Sequence, residues 1–252
     1  MNNQQTTRNQ IPDLSLWLFY FALFYAVFHI FPVFLRFNLK NGFRLGDLFD
    51  LFTPFVFIFT VWKLHSILLP STRHERASKN RLPANSFLIF GSILFVEGHG
   101  MHLAANALGR MIEPVASPVL YSLDYFFDEI LGHFLWDGGI AMISIGLILR
   151  CLQKDTLTRS SVAFPLITLG GLLYGFTYFI NAIEGQTVSL TLPLAILIPI
   201  FIVLNARKMR IPVRSSPLLL FFLIGYVWSL GLFIGWRLWQ GGFPEFSELD
   251  WI

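Results

Sequence analysis

Two stretches of this 252-residue sequence concentrate the side chains whose types and spacing could carry out chemistry. The segment EGHGMHLAAN contains His99 and His102, and the segment DYFFDEILGHFLWDGG contains Glu129 and His133. Both segments lie in hydrophobic surroundings. The free energy of inserting one ionisable group into a membrane is about 2.5 to 3.5 kcal/mol, so such a group is expected to have a function. Further polar candidates in these segments and in the later segment NAIEGQ are Asn106, Asp128, Asp137, Asn181 and Glu184.

These residue types favour a divalent metal site. Three imidazoles with one or two carboxylates suit zinc in a catalytic arrangement, which keeps one position open for water. Iron, manganese and copper also accept mixed nitrogen and oxygen ligands. Haem is disfavoured, because carboxylates buried beside a porphyrin would be costly. We therefore predict a site whose ligands are His99, His102, His133 and Glu129.

The remaining polar residues have expected supporting roles. Glu129 is either the fourth ligand or the general base that activates water. We expect the other side chains to orient the ligands or to contact the substrate, and they are Asn106, Asp128, Asp137, Asn181 and Glu184. The H-x-x-H spacing of His99 and His102 is a weak motif alone. Two alternatives therefore stay open, a proton or metal-ion pathway and a polar core that only fixes helix packing.

Helical geometry indicates how the two segments would meet. Consecutive spans are usually neighbours, and a helix places Glu129 and His133 on one face and Asp128 on another. At a rise of about 1.5 Å per residue, His99 and His133 both lie about 14 Å below the membrane surface. His102 and Glu129 both lie at about 8 or 9 Å. We expect these two pairs to face each other.

The composition shows that a membrane must position these residues. Hydrophobic residues make up 55% of the chain and charged residues 13%, with a mean hydropathy of +0.62. Soluble domains carry about 25% charged residues. We predict an all-α polytopic integral membrane protein, one seven-helix domain over residues 1–252. The seven transmembrane helices cover about 14–37, 48–69, 86–108, 125–149, 162–183, 188–204 and 217–239.

The distribution of Lys and Arg predicts the orientation. The side with fewer basic residues has Arg36, Lys40, Arg44, Arg110 and Arg237. The opposite side has Arg8, Arg73, Arg76, Lys79, Arg81, Arg150, Lys154, Arg159, Arg207, Lys208, Arg210 and Arg214. The N-terminus is therefore expected in the cytoplasm and the C-terminus outside, in the cell inner membrane, with the site facing the periplasm or a lumen. The basic loops need membrane lipids as partners and no nucleic acid.

Seven spans with intramembrane His and Asp resemble the superfamily of alkaline ceramidases and adiponectin receptors, which are zinc-dependent membrane hydrolases. That superfamily has an HxxxH pair on its last span, whereas this sequence has its pair, His99 and His102, on the third. The resemblance is an analogy that carries over no residue. Our leading hypothesis is a metal-dependent hydrolase of a lipid-like substrate. The alternatives are a proton or metal-ion transporter and a structural or assembly subunit.

Overall fold

The computed structural model describes residues 10–39, 43–69, 82–153, 163–249 and 251. Within these ranges every regular element is a helix and no strand forms, which confirms the all-α prediction. Seven described segments are long and apolar enough to cross a membrane, as predicted for an integral membrane protein. These spans are Leu14–Phe34, Leu45–Ile67, Pro83–Gly109, Pro118–Leu152, Phe164–Glu184, Val188–Lys208 and Pro217–Gln240.

Several spans contain more than one helical segment. The first joins the helix Gln10–Ile30 to the 3-10 turn Phe31–Phe34, and the second joins Leu45–Asp50 to Thr53–Ile67. The third is the helix Leu82–Gly109. The fourth is composite, with an α-helix over Pro118–Tyr125, a π-helix over Phe126–Gly132 and an α-helix over His133–Leu152. Phe164–Glu184, Val188–Lys208 and Pro217–Gln240 are single helices, the last preceded by a 3-10 turn, Val213–Ser215.

The fourth span differs most from its predicted bounds. It begins at Pro118, because proline suits the first turn of a helix, where its missing N–H costs no hydrogen bond. Its 35 residues would extend over about 52 Å at 1.5 Å per residue, well beyond the roughly 30 Å hydrocarbon core. The sequence prediction began the span near residue 125 because the preceding turn is only moderately apolar.

The orientation of the termini stays a prediction. Many of the basic residues that indicate it lie outside the described residues, as does Val162, the expected start of the fifth span. The basic residues concerned are Arg8, Lys40, Arg73, Arg76, Lys79, Arg81, Lys154 and Arg159.

The third and fourth spans pack against each other along most of their length, and glycine permits the contact. A Cβ atom added to Gly91 would lie 2.8 Å from the main-chain oxygen of Gly139, and one added to Gly139 would lie 2.5 Å from the main-chain nitrogen of Phe95. Gly98 and Gly132 form a similar contact one heptad away, next to His102. Small residues of this kind let transmembrane helices approach closely.

The fifth span holds the rest of the bundle together, packing against the first and the seventh. Tyr174 is fully buried there, and its hydroxyl lies 2.9 Å from the Ser144 hydroxyl of the fourth span. The same Tyr174 hydroxyl lies 3.0 Å from that of Tyr226 on the seventh span. Three spans are thus linked by hydroxyl groups that satisfy each other away from water.

Replacing Gly139 with alanine should destabilise the bundle, because the added methyl would meet main-chain atoms that cannot rotate away. Overpacking of this kind costs about 1 to 3 kcal/mol. We expect a lower apparent melting temperature for the detergent-purified Gly139→Ala protein. Gly138→Ala is the matched control, since its Cβ would meet no atom within 4 Å. Equal melting temperatures for the two variants would contradict the glycine contact.

Candidate metal centre

Three side chains from the third and fourth spans converge at one end of the bundle. His102, Asp128 and His133 each offer one ligand atom, and these atoms all lie within 4.8 Å of one another. The two imidazole rings are 4.5 Å apart, centroid to centroid. We call these three residues the candidate metal group. Its members come from the two segments singled out in the sequence.

His102 and Asp128 make a close and buried contact. Nδ1 of His102 lies 2.6 Å from Oδ1 of Asp128, the distance of an ion pair or a charge-assisted hydrogen bond. The carboxylate therefore orients the His102 ring, and one ligand atom of each side chain lies within 4.8 Å of one on His133. A carboxylate beside a histidine is common at metal sites, where it fixes the ring in position or binds the ion itself.

The π-helix explains why Asp128 joins this group. Its i→i+5 hydrogen bonds widen the turn over Phe126–Gly132, so that residue positions rotate relative to an α-helix. The α-helical periodicity of the sequence put Asp128 on a different face from His133. In the structure Asp128 and His133 both reach His102. Single π turns inside α-helices are frequent at functional sites.

Glu129 lies at the edge of the group. Its Oε2 is 3.7 Å from Nε2 of His133, and its side chain is 28% exposed. The His102 and Asp128 side chains are less open, at 17% and 13% exposed. Glu129 thus lies beside the group and is more exposed than its member Asp128.

His99 is not brought to this group. Its side chain is 1% exposed, its Nε2 lies 3.0 Å from the main-chain oxygen of Asp50, and the Asp50 carboxylate lies 3.6 Å from the same nitrogen. The expected pairing of His99 with His133 is replaced by one of His102 with His133, a difference of about one helical turn. The earlier start of the fourth span and its π-helix account for the shift, since both change the register that the depth estimate assumed.

Trp136 packs against the histidines of this region. Its ring centroid lies 4.8 Å from that of His99 and 4.7 Å from that of His29. It lies 5.5 Å from that of His102 and 5.6 Å from that of His133, to whose ring it is stacked. Trp136 was not among the predicted site residues, although its position three residues after His133 puts it on the same helical face.

Two of the expected supporting residues bind other partners. Asn106 accepts a hydrogen bond from Arg110 at 2.7 Å. Asp137 is buried and accepts a hydrogen bond from the Thr187 hydroxyl. Neither side chain is among the three that converge in the candidate metal group. Asn106 instead fixes Arg110, and Asp137 ties the fourth span to the start of the sixth.

The two residues expected from the fifth span also have other partners. Asn181 donates a hydrogen bond to the Tyr25 hydroxyl at 3.2 Å, which links the fifth span to the first. Glu184 accepts one at 3.0 Å from the main-chain nitrogen of Phe246, so it holds the segment that follows the seventh span. The fifth span contributes to the site through Gly185, whose main chain lies against the His133 imidazole.

A polar cavity of about 360 Å³ adjoins the group on the His102 side. It lies between the end of the first span, the start of the second and the end of the third. Its wall includes Asp47 and Asp50, two further residues that sequence analysis did not single out. This volume is within the range of small-molecule binding sites.

No protein-family model, curated protein or solved structure matches the chain. What is known of the site therefore comes from its own geometry.

Replacing Gly185 with alanine should weaken metal binding. A methyl group there would overlap the His133 imidazole and displace it from His102 and Asp128. Loss of support around a metal ligand lowers affinity by about 10- to 100-fold, and we expect a change in that range for zinc, measured by competition with a chromophoric chelator. Gly100→Ala is the control, because its Cβ would meet no atom within 4 Å. Unchanged affinity in Gly185→Ala would argue against His133 as a ligand.

Proposed function

We propose that this integral membrane protein binds a divalent metal ion, zinc in the first place, through His102, Asp128 and His133, and hydrolyses a lipid-like substrate. The convergence of the three ligand atoms within 4.8 Å carries the proposal. The buried contact of Asp128 with His102 supports it, since a carboxylate beside a ligand histidine fixes the ring and can share the ion.

The donor set fits a catalytic rather than a structural site. Two imidazole nitrogens and one carboxylate oxygen are three protein ligands, and catalytic zinc sites combine three such ligands with an open position. Two histidines and one carboxylate also suit iron(II), so iron stays a candidate beside manganese and copper. When bound, a divalent ion supplies Lewis acidity and makes water nucleophilic near neutral pH.

Glu129 is placed to act as the general base. It lies beside His133 without belonging to the three converging ligands, and it is the most exposed carboxylate of the site. Its role is to accept a proton from the attacking water and to pass it to the leaving group. His102 and His133 hold the ion, and Trp136 keeps both rings in place by packing against them.

Metal analysis and an activity assay on the same variants test this assignment. We expect stoichiometric metal in the detergent-purified protein and loss of both metal and lipid-ester hydrolysis in His133→Ala. Glu129→Gln should keep the metal and lose about 100-fold or more in rate, because general-base catalysis contributes about 10²- to 10⁴-fold. His65→Ala is the control, since His65 lies near the other end of the second span.

Three outcomes would contradict the proposal. Absence of metal from the wild-type protein, even after incubation with zinc, would refute the metal site. Retention of metal in His133→Ala would refute the ligand set. Ion flux in proteoliposomes that is lost in Glu129→Gln would identify a transporter instead of a hydrolase.

The variant His99→Ala should retain metal, because the Asp50 main chain holds the His99 ring away from the candidate metal group.

A further inference from the structure

The cavity beside His102 carries an excess of positive charge. Its wall includes three arginines against the two carboxylates of Asp47 and Asp50, and its other lining residues include two histidines. We call it the arginine cavity. The residues of its wall that matter here are His29, Arg36, Arg44, His102, Arg110 and Trp136.

Both carboxylates of the cavity are already engaged within the protein. Asp47 accepts hydrogen bonds from the Arg44 main-chain nitrogen, at 2.7 Å, and from the Arg110 guanidinium. Asp50 accepts a hydrogen bond from the Thr53 hydroxyl at 2.8 Å and lies beside His99. Asp47 is thereby paired with Arg110, whereas the hydrogen bond from the neutral Thr53 hydroxyl orients Asp50 without cancelling its charge. Arg36 and Arg44 together still exceed the charge of Asp50.

Two arginines and one histidine of the wall are left for a ligand. Among the residues that the structure describes, neither Arg36 nor Arg44 has a carboxylate within ion-pair distance. The Nε of Arg110 is buried without a hydrogen-bond partner among the described residues, and the His29 imidazole lies in the same wall. Guanidinium groups recognise phosphate and carboxylate oxygens through paired, charge-assisted hydrogen bonds.

The arginine cavity adjoins the candidate metal group. His102 belongs to both, and Arg110 lies eight residues further along the third span. At a rise of 1.5 Å per residue, His102 and Arg110 are about 12 Å apart along the helix axis. Arg110, at the end of the third span, is the nearer of the two to the expected membrane surface. A glycerophospholipid has its acyl esters on the tail side of its phosphate, which matches this order of arginine and histidine.

We infer that the arginine cavity binds the phosphoryl group of the substrate and so presents an acyl ester of a phospholipid to the candidate metal group. This inference rests on the proposed function, because His102 connects the two. The phosphoryl group is held by the exposed Arg36 and the half-buried Arg44, with Arg110 and His29 in the same wall. Hydrolysis adds water across the ester, releasing a fatty acid and leaving the phosphate on the lysolipid, so no further reactant is needed.

Calorimetric titration of the detergent-purified full chain tests the inference with three probes. These are dihexanoyl phosphatidic acid, dihexanoylglycerol, which has the same chains without phosphate, and inorganic phosphate. We expect the phosphatidic acid to bind and the diacylglycerol to bind at least about 10-fold more weakly, since charge-assisted contacts are stronger than neutral ones. The double variant Arg36→Gln, Arg44→Gln should lose at least about 10-fold in affinity for the phosphatidic acid.

The control neutralises one arginine at the same end of the bundle, outside the cavity. Arg237 lies on the last turn of the seventh span, packs against Phe243 and is not part of the cavity wall, so Arg237→Gln should bind like the wild type. Inorganic phosphate binding as tightly as the lipid would support the phosphoryl site and assign it to a soluble phosphate. Equal binding of the two lipids, or unchanged affinity in the double variant, would overturn the inference.

The variant His133→Ala distinguishes this inference from the proposed function. His133 belongs to the candidate metal group but not to the cavity wall. We expect it to lose the metal and to keep its affinity for phosphatidic acid. A wild-type protein that binds the lipid but no metal would refute the proposed function alone, whereas metal binding without phosphoryl recognition would refute the inference alone.

Discussion

The close approach of the third and fourth spans is the constraint on which the site depends. Glycine faces glycine or main chain at Gly91, Gly98, Gly132 and Gly139, so the two backbones come nearer than larger residues would allow. The contact of Gly98 with Gly132 lies directly beside His102, where the site is built. Short side chains such as Asp128 can reach across this interface only because the backbones are close.

Polar groups buried in a bilayer must find partners within the protein, and most of those described here do. Asp137 bonds Thr187, Asn181 bonds Tyr25, and Ser144 joins a chain of tyrosine hydroxyls. The buried Nε of Arg110, in the cavity wall, is one of the exceptions in the described part of the chain. An unpaired buried polar atom costs roughly 1 to 3 kcal/mol. A ligand bound at this end of the bundle would offset that cost.

The lengths of the hydrophobic segments, together with the distribution of Lys and Arg, predicted the seven spans, because a bilayer imposes both a length and a charge asymmetry. The convergence of residues from the third and fourth spans also followed from topology, since consecutive helices tend to pack together. The identity of the ligands could not be predicted from the sequence, because the glycine contacts and the π-helix determine which residues of the two spans lie opposite each other. A displacement of one helical turn puts His102, instead of His99, beside His133, and it brings Asp128 to the same place. The partnership of His99 with Asp50 depends on a helix break at residues 51–52 that hydropathy does not reveal.

An anomalous-scattering map from crystals grown with zinc tests the central claim most directly, because it locates the ion without reference to activity. The account predicts a single strong peak at the zinc edge among the side chains of His102, Asp128 and His133, at about 2.0 to 2.2 Å from one ligand atom of each. A map with no peak at this end of the bundle, or with its peak beside His99 and Asp50, would contradict it.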